Sequence, residues 1–284
     1  NYIDTYHRSG LYPIELPSGL GVEAAGIVEA VGDDVTDFSI GDRVAYGSGP
    51  LGAYAEQANV PQSCLIKIPN DISFQTAAAM MLQGMTAQYL LRRTYDVKKG
   101  DTILVHAAAG GVGLLLCQWA KHLGATVIGT VGSQEKAALA KDHGCDHPIL
   151  YREQDFETAV KDITNGAGLA VVYDSIGAET FMKSIDCLAP LGMMVSYGNA
   201  SGPPPSIEVG MLAAKGSLFL TRPSLFAYVA KREDLEATCA DLFDVVSKDH
   251  VKIEINQTYP LSEARQAHID LESRKTTGST IFTL

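Results

Sequence analysis

Two clusters of residues in this chain have the types and spacing to do chemistry. The first is Ala107-Ala108-Ala109-Gly110-Gly111-Val112-Gly113, a run almost bare of side chains that precedes an apolar stretch. A diphosphate can touch a backbone only where side chains do not block it, and the N–H groups and dipole at a helix tip favour its charge. Gly110, Gly111 and Gly113 therefore mark the expected pyrophosphate cradle, although Ala108 stands where the usual Gly-x-Gly-x-x-Gly has its first glycine. The alternative role is a turn that only packs a helix on a strand. The second cluster is Val131-Gly132-Ser133 with Lys136, about twenty residues further on. An enzyme that uses NAD places Asp or Glu there to accept the ribose 2′-hydroxyl. Here no carboxylate stands at that tip, and Glu135 belongs to the following helix. Gly132 leaves room for a phosphate that Ser133, Lys136 and the helix tip can hold, each hydrogen bond to the charged group contributing about 1.5–3 kcal/mol. The expected cofactor is NADPH. The competing roles are Ser133 as a helix cap and Lys136 as a solvated surface charge.

These clusters need strands and helices to present them. Residues 102–106 have the pattern of a buried strand and 114–123 of a helix, followed by a strand at 126–131 and a helix at 133–143. Two further buried strands are expected at 169–174 and 193–197, with helical sequence at 181–188 between them. Strands alternating with helices at this spacing indicate βαβ units and a parallel, Rossmann-type sheet. Residues 19–55 differ: short apolar runs at 26–31 and 42–46 alternate with glycine and acidic turns, as in antiparallel strands. The proline run 203–205 is a rigid surface loop, 216–221 is strand-like, and the last sixty residues mix a helix with strands at 252–255 and 280–283. The expected fold is α/β, a nucleotide domain inserted between two parts of a mostly β domain.

The 284 residues, 46% of them hydrophobic, can bury a substantial core. With 22 basic and 33 acidic residues, a net charge of −11 gives no general attraction for nucleic acid or anionic membrane. Cys64, Cys117, Cys145, Cys187 and Cys239 are scattered, as reduced thiols of a cytoplasmic protein are, and form neither a disulfide framework nor a zinc knuckle. Residues 102–120 are uncharged and about as long as a membrane span, but His106, the glycine run and Gln118 fit a buried strand and helix better. A chain that starts at Asn1 and shows no signal peptide is expected to lack part of its N-terminus.

The chain resembles the medium-chain dehydrogenase/reductase superfamily and, within it, the NADPH:quinone oxidoreductases related to zeta-crystallin. The resemblance spans the whole chain. It is carried by Asn1-Tyr2-Ile3-Asp4-Thr5-Tyr6, Arg8-Ser9-Gly10-Leu11-Tyr12-Pro13, Gly21-Val22-Glu23-Ala24-Ala25-Gly26 and Gly41-Asp42-Arg43-Val44. It continues through residues 106–113, Val172-Tyr173-Asp174-Ser175, Gly198-Asn199 and Thr221-Arg222-Pro223-Ser224. It implies a GroES-like substrate domain at 1–85 and 217–284, a Rossmann domain at 86–216, and a homodimer, for which residues 217–220 are our candidate edge. It also implies that Asn1, Tyr6 and Thr86 approach the nicotinamide. Gly111 and Val112 would contact the pyrophosphate, and Gly132, Lys136 and Tyr151 the adenosine 2′-phosphate, with Tyr197, Asn199 and Arg274 further along the cofactor. Family members extend a few tens of residues further at the N-terminus.

Zinc alcohol dehydrogenases of the superfamily carry Gly-His-Glu where this chain has Gly21-Val22-Glu23, and valine cannot bind a metal. The seven histidines show no ligand spacing, and His106 is expected to be packed in the core. Glu23 is expected to make an internal salt bridge or hydrogen bond. Without a Lewis acid, conjugated acceptors such as quinones suit better than simple alcohols, whose alkoxide nothing would stabilise. Tyr6 and Tyr12 are candidates for lining the ring and donating a proton or hydrogen bond, against a role in ordinary aromatic packing. Arg222 would orient substrate or brace the loop before Pro223. Reduction of enones or alkenals is the sibling activity. A crystallin or RNA-binding role is the non-enzymatic alternative, and the absence of a basic stripe argues against RNA. Lys136→Ala is expected to raise the KM for NADPH and leave that for NADH almost unchanged; equal effects in steady-state assays would defeat the assignment of Lys136.

Overall fold

The computed structural model describes residues 1–284 and divides into two compact units, Asn1–Thr86 with Leu225–Leu284, and Ala87–Ser224. In the first unit α1 (Tyr2–Ser9) ends at Gly10, whose φ of 77° suits glycine. Strands β1 (Ala24–Ile27), β2 (Arg43–Tyr46) and β3 (Ile66–Lys67) form the antiparallel sheet expected from the alternating turns. Helix α2 (Phe74–Tyr89) crosses from the first unit into the second. Neither helix was legible. In α2 the buried side chains, Ala77, Ala79, Met80, Leu82, Met85 and Ala87 among them, lie on all sides and leave no helical stripe in the sequence.

The second unit runs β4 (Thr102–Val105), α3 (Gly111–His122), β5 (Thr126–Val131), α4 (Gln134–Asp142), β6 (His147–Leu150) and α5 (Phe156–Ile163). It continues with β7 (Leu169–Asp174), α6 (Phe181–Asp186), β8 (Leu188–Ser196), α7 (Gly210–Ala214) and β9 (Phe219–Thr221). All six strands pair in parallel in the order β6-β5-β4-β7-β8-β9, which winds outward in both directions from β4. This is the doubly wound dinucleotide-binding order, with its crevice at the carboxyl ends of β4 and β7. Leu104, Ile128, Val172 and Met194 from four strands pack with Phe156, Val160, Phe181 and Ile185 from α5 and α6. Sheet strands covered on both faces must be apolar throughout, which is why they stood out in the sequence.

The structure moves several boundaries. Helix α3 begins at Gly111, inside the glycine run rather than after it. The strand expected at 193–197 is the end of a longer β8, interrupted where Leu191 takes a φ of 65°. Strand β9 hydrogen-bonds to β8, so the division between units falls after Ser224 and not after residue 216. The chain then returns to the first unit as α8 (Leu225–Tyr228), α9 (Arg232–Ser247), β10 (Ile255–Pro260), α10 (Ala264–Glu272) and β11 (Ser279–Thr283), with β10 and β11 a parallel pair. The strand placed at 252–255 thus starts where it was expected to stop. No helix is long and apolar enough to cross a membrane.

Helix α3 lies directly on the turn that feeds it. A Cβ at Gly113 would sit 2.2 Å from the Ala107 carbonyl oxygen and 2.9 Å from Ala108 Cα, both backbone atoms that cannot rotate away. Gly113→Ala should therefore cost about 1–3 kcal/mol of stability, as overpacking does. Equilibrium denaturation measures it, and an unchanged midpoint would mean that the helix start can lift off the turn.

Candidate functional site

The glycine run forms a cradle at the carboxyl end of β4. Ala107 is held at φ 53°, Ala108 N–H donates to the Thr130 carbonyl of β5 (3.0 Å), and Gly110 N–H donates back to the Ala107 carbonyl (2.9 Å). Gly110 is the N-cap of α3 and has no side chain to cap it. Leu114 N–H is the first to find an intrahelical acceptor, the Gly110 carbonyl (2.9 Å), so the N–H groups of Gly111, Val112 and Gly113 open the helix towards any ligand at its tip. A bare, uncapped tip of a twelve-residue helix fits a diphosphate.

The second cluster lies at the neighbouring strand tips. Tyr151 follows β6, and its hydroxyl lies over Gly132, where a Cβ would come within 3.1 Å of it. The Ser133 hydroxyl caps α4 by accepting from Lys136 N–H (3.3 Å). It also hydrogen-bonds Glu135, which lowers that carboxyl from its ordinary value. The capping role of Ser133 is thus the one visible here. Sequence reasoning missed Arg152, whose guanidinium stands 5.9 Å from the Tyr151 ring centroid and adds a second cation to this corner. An Arg beside the tyrosine was the available signal.

At the tip of β8 the Arg222 guanidinium donates to the carbonyls of Ser196 (2.8 Å) and Gly198 (3.4 Å). With the Asn199 amide donating to Gly198 O (2.8 Å), its oxygen accepts from Arg222 (3.3 Å). Arg222 thus braces the turn that carries the half-buried Tyr197 and Asn199. Below, Asp174 at the end of β7 accepts from the backbone of Ile176 (2.7 Å) and Gly177 (3.0 Å) and from the hydroxyls of Thr180 (2.8 Å) and Ser184 (3.2 Å). Because Ser184 gives its proton to Asp174, it must accept from His106 Nε2 (2.8 Å), and His106 Nδ1 then accepts from Thr130 (2.9 Å). Burial holds His106 below its ordinary value despite the nearby Asp174, so the ring is neutral. As expected, His106 is a core residue.

The other candidates belong to the first unit. The Tyr6 and Tyr12 rings stand 5.1 Å apart at 57°, with Tyr6 nearly buried and Tyr2 edge-on to it at 5.5 Å. Thr86, on α2, donates to the Leu82 carbonyl (2.7 Å). Arg274 follows α10, exposed, at φ 60°. Asn1 Nδ2 donates to Glu23 Oε2 (2.5 Å), and Asn1 Oδ1 accepts from Gln83 (3.1 Å). Glu23 Oε1 accepts from Leu82 N–H (2.9 Å). Burial pushes the Glu23 carboxyl up to about 7, against the opposing pull of those two hydrogen bonds. A second chain, invisible in the sequence because it joins residues more than two hundred apart, links Arg8, His268 and Tyr54 at 2.8 and 3.0 Å and then Asp4 at 3.2 Å. Arg8 has no lone pair, so His268 Nδ1 accepts from it and Nε2 donates to Tyr54, whose hydroxyl donates to Asp4. Val22 is buried, and no three His, Cys, Asp or Glu side chains converge on a metal-sized site.

Residues 1–70 match the alcohol dehydrogenase GroES-like domain and residues 111–242 the zinc-binding dehydrogenase family. The chain is 53% identical over 283 residues to a quinone oxidoreductase of Pseudomonas aeruginosa, a match covering 99% of this chain and 87% of that protein. It is 48% identical over 289 residues to a 2-haloacrylate reductase of a Burkholderia species, with the same coverage of each. The crystal structure of Escherichia coli quinone oxidoreductase complexed with NADPH superposes with a TM-score of 0.98 at 49% identity, covering 100% of this chain and 88% of that one.

The raised Glu23 carboxyl makes a stability prediction with a definite sign. A group whose folded value of about 7 exceeds its unfolded value of 4.5 contributes stability that is complete below the unfolded value and is lost as pH rises through the folded one. The full shift corresponds to at most about 3 kcal/mol. Glu23→Gln, which cannot ionise, should therefore gain in Tm relative to the parent as pH rises from about 5 to about 8. A Tm difference that stays constant over this range would refute the assignment.

Proposed function

We propose, from the premise that this chain belongs to the quinone oxidoreductase family of medium-chain dehydrogenases and reductases, that it reduces quinones with NADPH and without zinc. The observation that carries the reading is the side-chain-free, uncapped tip of α3 beside a strand tip with Gly132, Lys136 and Tyr151 and no carboxylate. Gly110, Gly111, Val112 and Gly113 hold the pyrophosphate through backbone N–H groups. Lys136 and the Tyr151 hydroxyl meet the 2′-phosphate, where a strand-tip Asp or Glu would repel it. Likeness of fold to a protein solved with NADPH supports that cofactor. Tyr197 and Asn199, fixed by Arg222, lie further along the cofactor with Arg274, and Asn1, Tyr6 and Thr86 approach the nicotinamide. When bound, NADPH supplies the hydride.

Tyr6 and Tyr12 present phenols suited to stack on a flat ring and to donate to the oxyanion that develops as hydride arrives. One proton taken up with the hydride completes the hydroquinone. Zinc does not fit this donor set, because the position that carries a histidine in the zinc enzymes is the buried Val22. The family model named for zinc binding therefore describes the fold here and not the ligands. A homodimer is supported by the sheet edge at β9, where Phe219 and Leu220 are exposed, and a cytoplasmic location by five unpaired cysteines.

A second acceptor class is favoured by the 2-haloacrylate reductase relative, whose substrate is a conjugated alkene. The test mixes the protein with NADPH and a benzoquinone or naphthoquinone and follows loss of reduced-nicotinamide absorbance. Controls are NADH, a 2-haloacrylate, and a primary alcohol with NADP⁺. Quinone-dependent oxidation of NADPH, much slower with NADH and absent with the alcohol, is expected. Turnover of the alcohol alone would overturn the reading, and turnover of the haloacrylate alone would replace quinones with alkenes.

A further inference from the structure

One cation of the second unit is held differently from its neighbours. Lys121, Lys161, Lys183 and Lys215 are each ion-paired to a carboxylate of the same unit. The exposed Arg152 instead stands over the neutral ring of Tyr151, 5.9 Å from its centroid. The hydroxyl of that ring lies at Gly132, where a Cβ would come within 3.1 Å of it. One phenol thus connects the guanidinium to the residue that follows β5. In a doubly wound sheet that strand tip is where the adenosine ribose presents its 2′-position.

We propose that Arg152 is a specificity-determining residue that, from its seat on the Tyr151 ring, supplies the cation this corner needs to hold a 2′-phosphate. This deepens the proposed function and rests on its placement of the 2′-phosphate at the end of β5.

Charge at the corner decides the matter. A phosphate monoester carries about −1.5 to −2 near neutral pH. Lys136 offers one positive charge, but Glu135 beside it in the first turn of α4 offers a negative one and hydrogen-bonds Ser133 at the same tip. Together these two side chains contribute no net charge. The tip of α4 also gives less than a bare one would, because Ser133 already accepts from the Lys136 N–H (3.3 Å). A dianion placed there would meet no net positive side-chain charge from α4. Arg152 restores it, and its planar fork can meet two phosphate oxygens at once. The ring beneath it limits the motion of a long exposed side chain, which lowers the entropy lost when a ligand fixes it.

Isothermal titration calorimetry of the full chain with NADPH, NADH and adenosine 2′,5′-bisphosphate separates the 2′-phosphate from the rest of the cofactor. Arg152→Gln should weaken binding of NADPH and of the bisphosphate about tenfold and leave NADH unchanged, with an unaltered Tm. Glu135→Gln, which removes the opposing charge, should tighten NADPH several-fold and again leave NADH as it was. Equal weakening of NADPH and NADH in Arg152→Gln, or no weakening of either, overturns the proposal. A Glu135→Gln chain that binds NADPH no better than the parent overturns it as well. A parent chain that binds NADPH no more tightly than NADH would instead sink the functional reading on which the role of Arg152 rests.

Discussion

The organisation of the cofactor half depends on one close contact, Gly113 of α3 against the backbone of Ala107 and Ala108. With no side chain between them, the first turn of α3 lies on the turn from β4 and directs its unused N–H groups outward. The same turn is tied sideways to β5 by Ala108 and supported from below by His106, which bridges Thr130 and Ser184. Ser184 reaches Asp174, and Asp174 shapes the turn that follows β7. One neutral imidazole thus links the end of β4 to β5 and α6. A buried network of this kind is rigid only when every member is satisfied, and the directions of its hydrogen bonds admit a single arrangement.

Electrostatics favours local over global effects. The chain carries −11 and the proposed cofactor is strongly anionic, so the overall field opposes binding. At physiological salt that field is screened beyond about 8 Å. Charge-assisted hydrogen bonds at contact distance, about 1.5–3 kcal/mol each, outweigh it. Lys136, Arg152 and the tips of α3 and α4 are the groups proposed to act at that range.

Replacing histidine by Val22 changes more than metal affinity. The adjacent Glu23 carboxyl accepts from the Asn1 side-chain amide and from the Leu82 N–H of α2. The electron-poor acceptor proposed for this chain suits hydrogen bonds at the oxyanion in place of a Lewis acid.

The sequence alone determined the features that depend on backbone and neighbouring residues. The glycine run, the strand tip without a carboxylate and the strands β4, β5 and β7 were all legible, because pyrophosphate contact and two-faced burial impose local composition. Helix α2 was hidden because burial on every side erases periodicity, and β6 because its His147 and Pro148 do not look like a buried strand. Only the tertiary structure decided that Arg222 braces the β8 turn, that Ser133 caps α4, that β9 joins the sheet, and that Ser279, Gln83, Asn1 and Glu23 are joined by hydrogen bonds. A hydrogen bond depends on distance and direction in space, and residues nearly two hundred positions apart have neither until the chain has folded.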